Sequence, residues 1–288
     1  MLGINIALFS SIILAISVIV LKKSYKELNP SVAFLFDAFF GLIIWIPIGL
    51  VFGGNFEEVI KCFPYAIISA ILSEALVFYA LSKGNLSITS ILVATYPVYT
   101  LIFSFVINRE ILSIYQIISV IIVILGSILA SIEKDAKPKS KIILSGLAIP
   151  VITAIAVGFS DTISKNIIDK TSSFSFLIAI AIAQIPISII YFKLSKQKFS
   201  NTIIDIKNNL DNYRYAILGG LFNILGTGGL LISFNYALAS IASPITGMYS
   251  VFVSIYAIVI LKERISKTNK IGILVASIGL LGILILGS

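Results

Sequence analysis

Residues 91–130 read ILVATYPVYTLIFSFVINREILSIYQIISVIIVILGSILA, and residues 244–283, which start 153 positions later, read PITGMYSVFVSIYAIVILKERISKTNKIGILVASIGLLGI. Set one above the other, they pair Tyr96 with Tyr249, Val98 with Val251, Ile102 with Ile255, Glu110 with Glu263, Ser113 with Ser266 and Gly126 with Gly279. Apolar segments match by chance easily, but here the polar and glycine pairs keep the same order. A second match sets 3–22 on 146–165, pairing Gly3 with Gly146, Ser17 with Ser160 and Lys22 with Lys165, and Tyr79-Ala80-Leu81 recurs as Tyr236-Ala237-Leu238. The chain therefore reads as one unit written twice, over 1–137 and 138–288.

Composition says what kind of unit it is. Of 288 residues, 58% are hydrophobic and 12% charged, against roughly 45–50% and about 25% in a soluble domain, and the mean hydropathy is +1.08. A water-soluble fold cannot hide that much apolar surface. Apolar runs fall at about 3–21, 30–52, 63–82, 87–107, 113–132, 142–164, 174–194, 214–238, 241–261 and 267–287. Each is long enough to cross a hydrocarbon core of about 30 Å at about 1.5 Å per residue. The first run lacks a preceding Lys or Arg and a small-residue cleavage site, and is expected to stay as an anchor. The prediction is an all-α polytopic membrane protein of ten transmembrane helices. Five spans per unit is an odd number, so the second unit enters the bilayer from the opposite side, which makes an inverted-topology repeat.

Charge gives an expected orientation. Of the 21 Lys and Arg residues, 17 follow odd-numbered spans and 4 follow even-numbered ones. By the positive-inside rule the first set of loops is cytoplasmic and both termini lie outside. The net charge of +8 is then lysine at a membrane surface, with the lipid bilayer as partner and no nucleic acid implied. The single Cys62 forms no internal disulfide, and a chain without histidine lacks the commonest metal ligand. No metal and no cofactor is expected.

Depth arithmetic points to a site. Tyr96 and Pro97 fall at the centre of the fourth run, Tyr249 and Ser250 near the centre of the ninth, Glu74 near that of the third and Gln184 at that of the seventh. Asn223 lies within a turn of the centre of the eighth. Polar groups from several helices thus converge on the midplane, where inverted-repeat carriers hold their solute. Tyr96 and Tyr249 should lie at similar depth on opposite sides of it.

Asp37 and Glu74 are the sharpest signals. An ionised carboxylate at the centre of a spanning helix costs roughly 2.5–3.5 kcal/mol on insertion scales, so both acids should face protein or water. Their depths differ by about 3 Å, and if their helices are neighbours the two would share a proton. Such an acid either exchanges protons, meets a cationic solute, or simply makes a hydrogen bond to the next helix. Asp161 and Lys165, one turn apart near a membrane surface, read as an i,i+4 ion pair in preference to a substrate contact. Glu110 and Glu263 end their spans ahead of Ser113 and Ser266, which read as N-caps of the following helices, so these two acids organise helix ends or gate. The run Gly226-Thr227-Gly228-Gly229 fits close helix packing or an unwound segment.

The repeat of five spans, Tyr96-Pro97-Val98 at the centre of the fourth span, and the Arg109-Glu110 and Lys262-Glu263 endings resemble the EamA branch of the drug/metabolite transporter superfamily over nearly the whole chain. The resemblance implies a ten-helix bundle around a central cavity and a carrier or exporter of small metabolites, amino acids or drug-like solutes in the cell membrane. Two departures stand out. Ser250 replaces the proline in the second repeat, and familiar members keep both termini in the cytoplasm, opposite to the charge count. An enzyme is not expected: one acting on a lipid or polyprenyl substrate would need nucleophiles, metal carboxylates or a phosphate-binding loop, and the sequence has no Gly-Lys-Ser/Thr loop and no HExxH. A channel would require oligomerisation or rings of like side chains. The reading is a secondary transporter working by alternating access, with proton coupling through the buried acids as an option.

Overall fold

Short polar connectors decide where the helices start. The Asn29 side chain accepts the Ser31 amide just ahead of Pro30, Asn55 accepts from Glu57, and Ser172 accepts from Ser175, so three orphan N-terminal amides are capped in turn. Ser113 and Gln116 exchange hydrogen bonds as a capping box, and Ser266 and Asn269 repeat the device 153 residues later. The computed structural model describes residues 1–24, 28–83, 92–131, 144–197, 202, 210–259 and 266–286.

In chain order the elements are α1 (Leu2–Ser24), α2 (Pro30–Val51), α3 (Phe56–Ser69), a π-helical turn (Ala70–Ala75), α4 (Leu76–Lys83), α5 (Tyr96–Phe103), a second π-helical turn (Ser104–Asn108), α6 (Ile114–Ser131), α7 (Leu144–Ile168), α8 (Ser173–Leu194), α9 (Leu210–Ser233), α10 (Ala239–Gly247), α11 (Tyr249–Val259) and α12 (Lys267–Leu286). Among the described residues, eight segments are long and apolar enough to cross a membrane, and the fourth and fifth runs give shorter apolar helices, Tyr96–Asn108 and Ile114–Ala130. Together they make the ten predicted spans, and the chain is a multi-pass membrane protein. The eighth span stops at Ser233, several residues short of the end of its apolar run, and the chain turns at 234–236. Its glycines do not unwind it: Gly219, Gly226 and Gly229 lie against Leu21, Leu14 and Ser10 of α1, so the two helices pack at backbone distance.

Helix pairing follows the repeat. The first span of each half packs on the third span of the other, α1 on α9 and α7 on α3, while α2 packs on α8 and α6 on α12, each beside its own counterpart. Both halves thus contribute equivalent surfaces to one interface, as a two-fold relation between inverted units requires. Large apolar side chains such as Ile43, Leu125, Leu274 and Leu281 are exposed on the outer helix faces, where lipid replaces water.

The connectors 52–55, 109–113, 169–172 and 234–238 lie at the face where the chain begins, the face that the charge bias assigns to the outside. That face is bound together by polar contacts. Asn235 accepts the Ser173 amide and donates to the Ser173 hydroxyl, Lys165 donates to Phe234 O, and Asn108 donates to Thr162 O. A cavity of about 330 Å³, lined by Met1, Gln116, Lys165, Asn235, Tyr236 and Ile241, remains beneath them.

Candidate functional site

The fourth and ninth spans both break at mid-membrane, at positions that the repeat makes equivalent. Thr95 (φ −79°, ψ −3°) precedes α5, and Met248 (φ −64°, ψ −2°) separates α10 from α11. Pro97 in the first turn of α5 supplies no amide, which accounts for the first break. The second repeat has Ser250 at that position, and its break lies where Gly247 meets the Pro97 ring: a Cβ on Gly247 would stand 2.9 Å from Pro97 Cγ. The two discontinuous helices therefore cross there, backbone to ring. A buried Tyr96 donates its hydroxyl to Ser243 O across the crossing (3.2 Å).

Tyr96 and Tyr249 thus sit closer than predicted. They do not face each other across open space but share one cluster with Tyr99, Val77, Ala154 and Val157.

Around this crossing lie three buried acids. Asp37 on α2 is fully buried, and its Oδ1 accepts from Asn223 Nδ2 on α9 (2.9 Å). Glu74 stands in the π-helical turn between α3 and α4, 6% exposed, within electrostatic reach of both Asp37 and Asp161. Asp161 on α7 accepts from the Ser243 hydroxyl (2.7 Å), and the carbonyl of the same Ser243 is the one that Tyr96 donates to. Residues of both repeats thus make up this polar strip, Asp37 and Glu74 from the first and Asp161, Asn223, Ser243 and Tyr249 from the second, with Asp37 bonded to Asn223 and Asp161 to Ser243.

Gln184 joins the strip from α8. Its amide is fully buried, and neither polar atom has a hydrogen-bond partner among the described residues; the same holds for Asp37 Oδ2. Gly41, one turn along α2 from Asp37, leaves the space that Gln184 occupies, since a Cβ there would stand 3.0 Å from Gln184 Oε1. Trp45, a further turn along, donates its indole N–H to Ile224 O, next to Asn223.

Asp161 is the candidate that the sequence reading assigned to an ion pair with Lys165 in preference to a substrate contact. Lys165 has an acid one turn away on either side, and the structure pairs it with Asp169, leaving Asp161 to the interior. The usable signal was Asp169, which lies nearer the membrane surface, where a lysine head group is cheaper to keep charged.

Glu110 sits apart from the strip. Arg109 takes a left-handed conformation (φ 55°) after the second π-helical turn, and the reversal aims the Glu110 carboxylate at the start of α10. It accepts the Ala239 amide (3.0 Å), the Ser240 amide (2.9 Å) and the Ser240 hydroxyl. The helix end it organises is therefore not the next one in the chain but the first half of the ninth span, in the other repeat. Glu263, its counterpart, lies outside the described residues.

The family model for the EamA-like transporter family matches residues 1–132 and 144–285. The chain belongs to the EamA-like transporter family. Its members are membrane transporters of the drug/metabolite superfamily, so this EamA-like chain is a multi-pass protein of the cell membrane. An uncharacterized protein of Methanocaldococcus jannaschii is 32% identical over 135 residues, 46% of this chain and 95% of the relative. That relative has the length of a single repeat. A solved crystal structure superposes with a TM-score of 0.75 over 99% of this chain and 97% of its own at 12% identity, which shows that the two proteins share a fold.

Proposed function

We propose that this transporter is a secondary carrier that binds a small solute at the midplane and alternates its access by rocking one repeat against the other, with Asp37 as the coupling proton site. The observation that carries the proposal is the strip of buried acids at the crossing of two helices broken at equivalent places. A polar strip at mid-membrane is costly, and one drawn from both repeats changes shape whenever they move relative to one another.

Asp37 suits a proton better than a solute. It is 0% exposed, so no molecule reaches it without helix movement, whereas a proton needs no room. Asn223 holds one oxygen in either protonation state, and the second oxygen is left to carry the proton.

The chain has one tryptophan, and that residue, Trp45, is tied to the carbonyl next to Asn223. Its fluorescence should titrate with pH in the wild-type protein and stay flat in Asp37→Asn, which keeps shape while removing the titration. In liposomes, counterflow of the solute picked out by a thermal-shift screen of metabolites should lose its pH dependence in the same variant. Unchanged rate and pH profile in Asp37→Asn would remove Asp37 from the coupling step.

A further inference from the structure

Of the three midplane acids, Glu74 alone has no hydrogen-bond donor among the described residues. Asp37 has Asn223, and Asp161 has Ser243. Nor does a fixed cation serve any of the three: Lys61 is paired with Glu57 and Lys165 with Asp169, and no described Lys or Arg reaches the strip. Glu74 is buried as a residue, 6% exposed, and its carboxylate has no donor to offset the loss of water around it. Its location is informative as well. The π-helical turn inserts an extra residue into the helix at this point, a distortion that recurs at functional sites.

The surroundings of Glu74 narrow the ligand. Val77, three residues on along the same helix, packs into the cluster of Tyr96, Tyr99 and Tyr249 with Ala154 and Val157. The Tyr96 ring is held in place by its hydroxyl on Ser243 O. Tyrosine rings attract cations through their quadrupole, and alkyl carbons suit the valine and alanine walls. An inorganic ion would want six or so oxygen ligands, which aromatic and alkyl walls do not provide. An anion would be repelled by an ionised Glu74, and a neutral solute could donate a hydrogen bond to it without balancing its charge.

We infer that the midplane site takes an organic ammonium ion, with Glu74 as its counter-ion and the Tyr96 and Tyr249 rings as its aromatic walls. The inference rests on the carrier reading for its role in transport, but not for the binding itself. The ammonium head supplies the donors that Glu74 lacks, and its organic part lies against Val77 and the tyrosines. Asp37 and Asp161, already hydrogen-bonded, add long-range attraction without giving up their own partners.

Three probes of one size separate the charge classes: benzylammonium, benzyl alcohol and benzoate, each added to the purified full-length protein at matched ionic strength. Benzylammonium should raise the unfolding midpoint saturably while the other two do not, and Glu74→Gln should weaken that effect at least tenfold. Glu74→Asp, which keeps the charge, should retain part of it, and Tyr249→Leu should weaken it several-fold. Equal stabilisation by benzoate or benzyl alcohol, no effect of any probe, or undiminished benzylammonium binding in Glu74→Gln would overturn the inference. The charge series on the wild-type protein decides the matter even where a variant fails to fold. Counterflow of benzyltrimethylammonium, a permanent cation that does not leak through lipid, tests the role separately. Saturable binding of benzylammonium without that counterflow would sink the carrier reading and leave the cation site standing, whereas counterflow of benzoate would do the reverse.

Discussion

At the scale of single residues, side chains far apart in sequence hold the closed face together. Glu110 and Ser240 are 130 positions apart, yet one carboxylate takes two amides and a hydroxyl at the start of α10. Those amides are orphan donors of a helix N-terminus, and a carboxylate there also meets the positive end of the helix dipole. Glu110→Ala should therefore leave buried donors unpaired and cost about 1–3 kcal/mol, read as a lower unfolding midpoint in detergent. If α10 has to leave Glu110 when this face opens, the same variant should increase labelling of a cysteine placed at Tyr236 by an impermeant thiol reagent, in a Cys62→Ser background. An unchanged midpoint and unchanged labelling would show that the contact neither stabilises nor seals. This partnership was not legible in the sequence. The position of Glu110 at a helix end was, but a carboxylate can serve any nearby helix, and only the fold brings the other repeat within reach. Asp161 was misread for a related reason: local i,i+4 spacing offered it Lys165, and a second acid on the same helix, Asp169, wins that lysine.

At the scale of elements, apolar run length and polar connectors were enough to find ten spans and two N-caps, Ser113 and Ser266, because both are local properties of the chain. The breaks at Thr95 and Met248 and the π-helical turns at 70–75 and 104–108 were not visible, since hydropathy runs smoothly through them and their cause lies in neighbouring helices such as the Pro97–Gly247 crossing. Asn223, Gln184, Glu74 and Asp37 could be assigned to the midplane by counting residues, but counting does not say which of them meet. The α6 and α12 packing is the clearest case where a small residue decides a helix pair. A Cβ on Gly126 would run into the backbone of Ala276, and one on Gly272 into the backbone of Ala130. Backbone cannot yield as a side-chain end can, so Gly126→Ala and Gly272→Ala should each cost about 1–3 kcal/mol by overpacking. Unfolding followed by denaturant titration in micelles checks this. Wild-type stability in both variants would mean that the two helices separate freely enough to take up the added methyl.

At the scale of the whole molecule, the two repeats make one machine only if they move against each other. Every member of the polar strip sits where both halves contribute: Asp37 and Glu74 from one side, Asn223, Asp161 and Ser243 from the other. The face at which the chain begins is tied by Glu110, Asn235 and Lys165, and on the carrier reading proposed above these contacts part when the site opens to that side. An alternation of this kind makes a distinctive demand on flux, because each crossing requires the binding site to be occupied and then emptied. Counterflow in liposomes tests it most directly. With the solute from the thermal-shift screen preloaded inside, labelled solute added outside should accumulate transiently above its equilibrium level, with a rate that saturates as its concentration rises. Entry that stays linear in the gradient, with no transient accumulation, would describe a channel and contradict the carrier.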